Sequence, residues 1–288
     1  MKVLLYSNKN IDVDYEKTKT FLTYLLDKNV EVVVPKEEME SFLDYNVLPF
    51  DEEMSNTIDI LIVLGGDGTF LSAANEYYKY HIPYLGLNLG RVGYLTEGNM
   101  DGSYKIIDKV LNNRYKVESR PLLSVKVVSD KGYDKMIAFN EVMVHRGQYM
   151  KMLKIDMKVK EQFMDAFYAD GVLVSTSMGS SAYNLSAGGP LLLENVNCFV
   201  ITAICSQSGI MPSVVFNADD QVEISAFTKE KGKYVVVVDG REQIEVANGT
   251  KIFVKKSSET LNIVSTEIEN KSINHITKAF NGYIKYYW

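Results

Sequence analysis

Residues 58–77 read Ile-Asp-Ile-Leu-Ile-Val-Leu-Gly-Gly-Asp-Gly-Thr-Phe-Leu-Ser-Ala-Ala-Asn-Glu-Tyr, and this stretch decides how the first part of the chain folds. The apolar run Ile58–Leu64 predicts a buried strand. Gly65 and Gly66 follow it and allow backbone angles that a Cβ would penalise. A helix can then begin at about Thr69. The stretch therefore predicts a strand, a glycine turn and a helix in direct succession.

Asp67 adds a carboxylate to this turn, with Gly68 beside it. A helix N-terminus offers unpaired N–H groups and a partial positive charge, and glycines let an anion approach closely. We therefore predict a phosphate loop formed by Gly65, Gly66 and Thr69, with Asp67 acting on a hydroxyl that receives a phosphoryl group. The residues alone leave a second interpretation open, in which Asp67 only caps the helix. The stretch is neither the Walker phosphate loop nor Gly-x-Gly-x-x-Gly.

Composition limits the class of protein. The chain has 288 residues, of which 46% are hydrophobic and 24% charged, and its net charge is −6. These values predict one large or two ordinary globular domains and argue against a general surface for nucleic acid or membrane. With only Cys198 and Cys205, neither a disulfide framework nor a zinc site is indicated. We find no signal peptide and no apolar run of membrane-spanning length, so a cytoplasmic location is expected.

Strands and helices alternate over residues 1–118. Apolar runs predict the strands Lys2–Tyr6, Val30–Val34, Ile58–Leu64 and Pro83–Leu87, and helical spacing predicts helices over Tyr15–Leu26, from about Thr69 and near Tyr104–Asn112. This alternation predicts an α/β domain with a doubly wound parallel sheet, in which ligands bind at the carboxyl ends of the strands. The glycine turns at 65–68 and 88–95 both stand at such ends.

The pattern changes after residue 118. Short apolar runs separated by turns predict a mostly β domain over 119–264. Its predicted strands are Leu122–Val128, Met136–Val144, Leu153–Val159, Val172–Ser175, Gln221–Phe227, Tyr234–Val238 and Lys251–Val254. The C-terminal tail, 265–288, is rich in aromatic residues, and we expect it to return to the first domain.

Two polar constellations interrupt the β domain. Asn140 and Glu141 lie inside an apolar stretch, and a carboxamide beside a carboxylate suits ribose hydroxyls or a base edge. The alternative is a strand whose polar face is hydrated. Residues 170–190 crowd serine, threonine and glycine into a loop between a strand and a helix, with Tyr183 available for stacking. Such a loop either grips a polar ligand through hydroxyls and backbone amides or is a flexible connector.

Together these segments resemble the NAD kinase family over nearly the whole chain. The resemblance rests on Gly-Gly-Asp-Gly-Thr-Phe-Leu at 65–71, Asn-x-Gly-x-x-Gly-x-Leu at 88–95, Asn-Glu at 140–141 and the block 170–190, with Asp239-Gly240 as a further element. It implies transfer of the γ-phosphoryl group of ATP to the 2′-hydroxyl of the adenosine ribose of NAD, which gives NADP, in a homodimer or homotetramer. Because the chain lacks a Walker lysine, Mg²⁺ or another divalent cation is expected to neutralise the triphosphate.

The resemblance also implies roles for individual positions. Asp67 would accept the proton of the 2′-hydroxyl, and Gly68 would line the same loop. Asn140 and Glu141 would hold NAD hydroxyls, and Asp170 would contact the nicotinamide end. The adenosine pocket would be lined by Ser181, Ala182, Tyr183, Asn184, Leu185 and Ser186, with the tyrosine ring against the ligand. The residues that would ligate the metal are left unassigned, and help from Asp67 with the metal stays open.

The chain departs from the family pattern at several positions, of which three change the chemistry of a side chain most. Met178 replaces a residue that usually carries a hydroxyl, Gln207 stands where a histidine is common, and Arg241 stands where a glutamine is common. None of these changes touches Asp67 or the Asn-Glu pair, so activity is expected. Two other classes of protein stay open: a related kinase of lipids or sugars, and a dinucleotide-binding sensor without turnover. NADH as acceptor and polyphosphate as donor are open alternatives to NAD and ATP.

Overall fold

The computed structural model describes residues 1–90, 93–130, 132–148, 151–193, 196–207, 211–228 and 232–266. The described residues form two compact units: unit 1 contains Met1–Ser119 and residues 260–266, and unit 2 contains Arg120–Glu259. The predicted domains are 1–118 and 119–264, and the predicted tail lies outside the described residues from residue 267. In the described part of the chain, no helix combines the length and the apolar character needed to cross a membrane.

Unit 1 alternates strands with helices. Its strands are β1 Lys2–Ser7, β2 Glu31–Val34, β3 Val47–Pro49, β4 Ile60–Leu64, β5 Tyr84–Asn88 and β6 Gly98–Asn99, and its helices are α1 Glu16–Asp27, α2 Asp67–Tyr77 and α3 Met100–Leu111. Short 3-10 segments occur at Val13–Tyr15, Lys36–Phe42, Glu52–Thr57 and Tyr78–Tyr80. Every residue of β4 and β5 is buried, as expected for parallel strands covered on both faces.

The main strands of unit 1 form a parallel sheet in the order β3-β2-β1-β4-β5. The chain runs from β1 to β3 in one direction and resumes at β4 on the other side of β1, so the sheet is doubly wound. Ser7 at the end of β1 pairs with Leu64 at the end of β4, so the loops that follow them leave the sheet side by side. The strand order reverses between β1 and β4, and ligands of open α/β sheets bind at such a switch point.

Unit 2 consists almost entirely of strands. They are β7 Lys116–Ser129, which enters the unit at Arg120, β8 Gly132–Ala138, β9 Glu141–His145, β10 Leu153–Val159, β11 Gln162–Ala169, β12 Gly171–Thr176, β13 Cys198–Ile204, β14 Val214–Asn217, β15 Val222–Phe227, β16 Lys233–Val238, β17 Glu242–Ala247 and β18 Lys251–Ser265, which leaves the unit after Glu259. A 3-10 turn at Met178–Ser181 precedes the short helix α4 Tyr183–Ser186. The segment from Thr260 then joins the unit 1 sheet, where Ile263 pairs in parallel with Tyr84 of β5.

Two sheets build unit 2. One has the order β14-β13-β12-β9-β16-β17, and the other contains β11-β10-β15-β18 with the β7–β8 hairpin. Side chains from both sheets form one apolar core, for example Val144 and Val174 from the first and Ile155 and Ile224 from the second. The predicted fold class, an α/β domain with a doubly wound parallel sheet and a mostly β domain, is confirmed.

The prediction of one continuous strand over Met136–Val144 is wrong. The structure separates β8 from β9 at Phe139 and Asn140. The N–H groups of these two residues, together with that of Glu141, bind the carboxylate of Asp239. A turn therefore replaces the middle of the predicted strand, and it places the Asn-Glu pair at the end of the sheet.

Candidate active site

The close approach of α2 shapes the glycine turn after β4. A Cβ added at Gly65 would lie 2.5 Å from the Thr69 hydroxyl oxygen, so the turn requires glycine. Thr69 is buried under the turn, whereas Gly68 is exposed on the first turn of the helix. α2 begins at Asp67, earlier than predicted, and its N-cap residue Gly66 provides no side-chain cap. This helix end therefore has the open character that an anion-binding turn needs.

Asp67 is held by the second glycine loop. Its Oδ2 accepts the N–H of Tyr94 and its Oδ1 accepts the N–H of Leu95, both at 3.0 Å. A Cβ added at Gly93 would lie 2.2 Å from Oδ1, so the loop can approach the carboxylate only because glycine is there. These bonds fix the orientation of the carboxylate and leave lone pairs on both oxygens for a further partner. Asp67 therefore does more than cap α2, because its hydrogen bonds go to Tyr94 and Leu95, which lie outside the helix.

Asp67 lines a cleft of about 430 Å³ in unit 1. The cleft is bordered by residues that follow β1, β4 and β5, namely Ile11, Lys17, Gly66, Asp67, Asn88, Leu89, Gly90 and Gly93. It therefore lies at the topological switch point, where this fold class binds ligands. Sequence reasoning missed Lys17 of α1, which lines the cleft and donates from its ammonium to the Leu89 carbonyl.

The Asn-Glu pair of unit 2 stands in a turn that Asp239 braces. The Asp239 carboxylate accepts the N–H groups of Phe139 at 2.7 Å, Asn140 at 2.7 Å and Glu141 at 3.0 Å. The N–H of Asp239 donates in turn to the Glu141 carbonyl at 3.0 Å. Asp239 has a φ of 49°, an unusual backbone conformation for a residue with a Cβ. The aspartate is therefore built into the turn as its anchor.

Glu141 is the most unusual charged group in this turn. Its side chain is 8% exposed, and its Oε2 has no hydrogen-bond partner among the described residues. Burial, and then the charge of Asp239, raise the pKa of Glu141 to about 7. Burial also raises the pKa of Asp239, although its three N–H partners act in the opposite direction. A buried carboxylate without a partner is costly, so Glu141 is prepared to receive hydrogen-bond donors from a ligand.

The loop after β12 packs on the same turn. The N–H of Thr176 donates to the Asn140 carbonyl, and the Thr176 hydroxyl donates to the Phe139 carbonyl, each at 2.8 Å. A Cβ added at Gly179 would lie 2.3 Å from the Asn140 carbonyl oxygen, so glycine is required for this contact. The two polar constellations predicted from the sequence are therefore one structure.

Asn184 supports this loop from the interior. Its amide nitrogen donates to the Ser180 carbonyl at 3.1 Å and the Pro190 carbonyl at 2.9 Å, and its Oδ1 accepts the Thr202 hydroxyl at 2.7 Å. The side chain is fully buried, so its hydrogen-bonding capacity serves the loop and not a solvent-facing pocket. Met178 is buried as well, so the methionine at this position contributes to the packing of the loop.

The other predicted adenosine-pocket residues lie nearer the surface. Ser181, Ala182 and Leu185 are half-buried, and Ser186 is exposed. Tyr183 is 40% exposed and is the first residue of α4. Its ring is therefore accessible to a ligand.

Asp170 has an ion-pair partner that sequence reasoning did not identify. Arg146 donates from Nε to Asp170 Oδ1 at 2.6 Å, and from its terminal nitrogen to Oδ2 at 3.4 Å. His145 lies next in the chain, and burial, followed by the charge of Arg146, lowers its pKa. The two-point contact fixes the Asp170 carboxylate just before β12. The sequence did not indicate Arg146 as its partner because the two residues are 24 positions apart.

Comparisons with known proteins agree with this architecture. Residues 3–115 match the ATP-NAD kinase N-terminal domain and residues 139–266 match the ATP-NAD kinase C-terminal domain. An NAD kinase of Sulfurimonas denitrificans is 32% identical over 269 residues, covering 93% of this chain and 92% of the relative. An NAD kinase of Thermoanaerobacter pseudethanolicus is 31% identical over 271 residues, covering 93% of this chain and 95% of the relative.

Two solved structures show the same fold. The crystal structure of yeast NADH kinase complexed with NADH superposes with a TM-score of 0.86 at 24% identity, covering 98% of this chain and 87% of the yeast chain. An NAD kinase from Archaeoglobus fulgidus in complex with ATP gives a TM-score of 0.74 at 24% identity, covering 97% and 98%. The fold and the site therefore define the class of protein: a kinase with a doubly wound α/β domain followed by a mostly β domain. The chain belongs to the ATP-NAD kinase family, as the sequence predicts.

Proposed function

We propose that this chain is an ATP-dependent NAD kinase, which transfers the γ-phosphoryl group of ATP to the 2′-hydroxyl of the adenosine ribose of NAD and releases NADP and ADP. The observation that carries the proposal is the Asp67 carboxylate, oriented by two backbone N–H groups beside the switch-point cleft. Membership of the ATP-NAD kinase family supports the choice of both substrates.

Asp67 acts on the acceptor hydroxyl. As the 2′-oxygen bonds to the γ-phosphorus and the bond to the β–γ bridging oxygen breaks, the carboxylate takes the hydroxyl proton. Phosphoryl transfer depends mainly on positioning and charge stabilisation, so the fixed orientation from Tyr94 and Leu95 is the main contribution of the protein at this atom. Gly65, Gly66 and Gly68 shape the turn beside it so that phosphate oxygens can come close.

NAD recognition falls to unit 2. The Asn140 carboxamide and the unpartnered Glu141 oxygen bind ribose hydroxyls, because together they offer donors and acceptors. The accessible Tyr183 ring packs against the adenosine, beside Ser181, Ala182, Leu185 and Ser186, while Asn184 holds the loop in shape. Asp170, oriented by Arg146, contacts the nicotinamide end.

The proposed reaction also requires a divalent cation, Mg²⁺ or a similar ion, which would bind together with the phosphates of ATP. Within the described ranges, no group of three or more His, Cys, Asp or Glu side chains could hold a metal ion. Mg²⁺ is often held by one or two carboxylates with substrate phosphates and water, and Asp67 offers one carboxylate at the cleft. When bound, the ion would offset phosphate charge. Excess chelator should therefore abolish turnover, and activity that persists in the chelator would contradict this proposal.

The proposed reaction is tested on the purified chain with ATP, NAD and Mg²⁺. NADP and ADP should form in equal amounts, and the Asp67→Asn variant measured in parallel should form neither at a comparable rate. ADP without NADP, when lipids or sugars are added, would instead indicate a related kinase. NAD binding without turnover would indicate a sensor. Parallel assays with NADH and with inorganic polyphosphate decide the preferred acceptor and donor.

We also propose that the enzyme is cytoplasmic and forms a homodimer or homotetramer, as the family resemblance implies. Light scattering on the purified protein measures the assembly directly. A monomer at micromolar concentration would contradict this part of the proposal.

A further inference from the structure

Lys17 carries a positive charge into the cleft that contains Asp67. It lies in the first turn of α1, and its ammonium donates to the Leu89 carbonyl at 3.0 Å. An ammonium has three donors, and within the described part of the chain the Leu89 carbonyl is the partner seen for this one. The contacts with the described residues therefore leave two donors of Lys17 for a ligand.

The loop after β1 holds Lys17 in place. Buried Asp12 accepts the N–H of Lys17 at 3.1 Å, and the N–H and hydroxyl of Thr18 at 2.8 and 2.7 Å. Asp14 and Tyr15, just before the helix, have φ values of 53° and 57°. Left-handed angles are unfavourable for residues with a Cβ, so this loop adopts one particular path into α1. The backbone of Lys17, rather than its side chain, takes part in this anchoring.

Lys17 contributes the positive side-chain charge among the described residues of the cleft lining. Among the described residues that line it, Asp67 is negative, Lys17 is positive and the rest are uncharged. The whole chain has a net charge of −6. A phosphate chain carries several negative charges, and Lys17 is the side chain of opposite charge among the described residues that line the cleft.

We propose that Lys17 binds the phosphate chain of the phosphoryl donor, whether that chain belongs to ATP or to inorganic polyphosphate. The inference rests on the proposed function, because it assumes that the cleft receives the donor. Lys17 supplies the charge that a Walker lysine supplies elsewhere, but it comes from the segment after β1 and not from the glycine loop after β4. The pairing of Ser7 with Leu64 brings these two segments together.

The test compares Lys17→Met and Lys17→Arg with the control Lys19→Met, which removes a lysine from the same helix outside the cleft lining. Lys17→Met should raise the KM for ATP about tenfold or more, as loss of a hydrogen bond to a charged group implies, and leave the KM for NAD within about twofold. Lys17→Arg should retain most of the affinity, and Lys19→Met should match the unmodified chain. Inorganic tripolyphosphate should inhibit Lys17→Met more weakly than the unmodified chain.

Three results would overturn the inference. One is an unchanged KM for ATP in Lys17→Met, and another is an increase confined to the KM for NAD. The third is weaker ATP binding with unchanged tripolyphosphate binding, since Lys17 would then contact the nucleoside. If the unmodified chain makes no NADP, the proposed function fails, but calorimetric titration of tripolyphosphate into both proteins still tests Lys17. Melting curves confirm that the variants are folded.

Discussion

Two carboxylates, one in each unit, are held by backbone N–H groups, and they serve different purposes. Asp67 in unit 1 accepts two N–H groups and lines a cleft. Asp239 in unit 2 accepts three N–H groups from one turn, and burial raises its pKa. In unit 1 we propose that the held carboxylate itself takes the proton of the acceptor hydroxyl. In unit 2 the held carboxylate is a brace, and the groups it presents are Asn140 and Glu141.

This difference shows that the residue type alone does not reveal the role of a buried or half-buried aspartate. The informative features are the source of its N–H partners and what its oxygens face. Asp67 takes its partners from a separate glycine loop, whereas Asp239 takes them from the turn that it stabilises. Substitutions at both positions can therefore separate a chemical role from a structural one.

The largest effect is expected for Asp67→Asn. Loss of a positioned general base should lower kcat by about 10²–10⁴-fold. The new amide would also face one of the two N–H donors, because asparagine has a single side-chain acceptor oxygen. A matched control is Asp59→Asn, since Asp59 accepts the N–H of Lys2 at 2.7 Å at the opposite end of β4. Near-normal kcat in Asp67→Asn would show that Asp67 has no chemical role, in contrast to what we propose.

The second effect separates the brace from the groups it presents. Asp239→Ala leaves three backbone N–H groups without their acceptor, so the free energy of unfolding should fall by roughly 3 kcal/mol. The KM for NAD should rise in the same variant because Asn140 and Glu141 lose their position. Urea unfolding and steady-state kinetics measure the two quantities, with Asp239→Asn as the milder variant. Lower stability with an unchanged KM would show that the turn does not depend on its brace for binding.

The switch-point site was largely predictable because its signals are local. A buried strand, two glycines, an aspartate and a helix follow one another at 58–77, and this order predicts the strand, turn and helix, with a phosphate loop as one of two interpretations of the turn. Lys17 could not be found in the same way, because its relevance depends on β1 and β4 being neighbours in the sheet. The predicted doubly wound sheet offered a signal, since its ligands are expected at the carboxyl ends of the strands and Lys17 follows the first of these strands.

Contacts distant in sequence account for what remained hidden in unit 2. Asn140 and Glu141 could be selected as a polar pair, but their brace lies 98 residues from Glu141. Asn184 was predicted to line the adenosine pocket together with the residues around it. The sequence of a hydroxyl-rich segment does not reveal which of its side chains point inward. The strands β11, β13, β14 and β17 were also missed. Of these, β17 reads Glu-Gln-Ile-Glu-Val-Ala and exposes most of its length, so it lacks the apolar pattern of a core strand.

The third prediction concerns the group that the brace presents. Glu141→Gln and Asn140→Ala should each raise the KM for NAD roughly tenfold to a hundredfold and leave the KM for ATP nearly unchanged. Loss of the hydrogen bond between a ligand hydroxyl and its buried partner lowers the binding free energy by about 1–3 kcal/mol, which corresponds to this range. Equal changes in both KM values would mean that the pair has a structural role, like Asp239.

Glu141 should also make stability depend on pH. Its pKa is raised from the ordinary 4.5 to about 7, so the folded chain binds this proton more tightly than the unfolded chain does. Stability from this group is therefore present at low pH and is lost as the pH rises through about 7. The difference in unfolding free energy between Glu141→Gln and the unmodified chain should therefore depend on pH. On going from pH 4 to pH 8, it should change by up to roughly 3 kcal/mol in favour of the variant. A difference that does not change with pH would show that Glu141 is not desolvated.

The smallest effect is expected at Tyr183, the accessible residue of the loop that packs on the braced turn. If its ring packs against the dinucleotide, Tyr183→Ala should weaken NAD binding about twofold to tenfold, because an aromatic contact contributes about 0.5–1.5 kcal/mol beyond its buried area. Tyr183→Phe should then bind nearly normally, since this contact does not need the phenol oxygen. Equal losses in both variants would instead assign the role to the hydroxyl. A lower melting temperature in Tyr183→Ala with an unchanged Kd for NAD would assign the ring to packing. At 40% exposure, the ring has little packing to lose, so we expect the change in binding and not in melting.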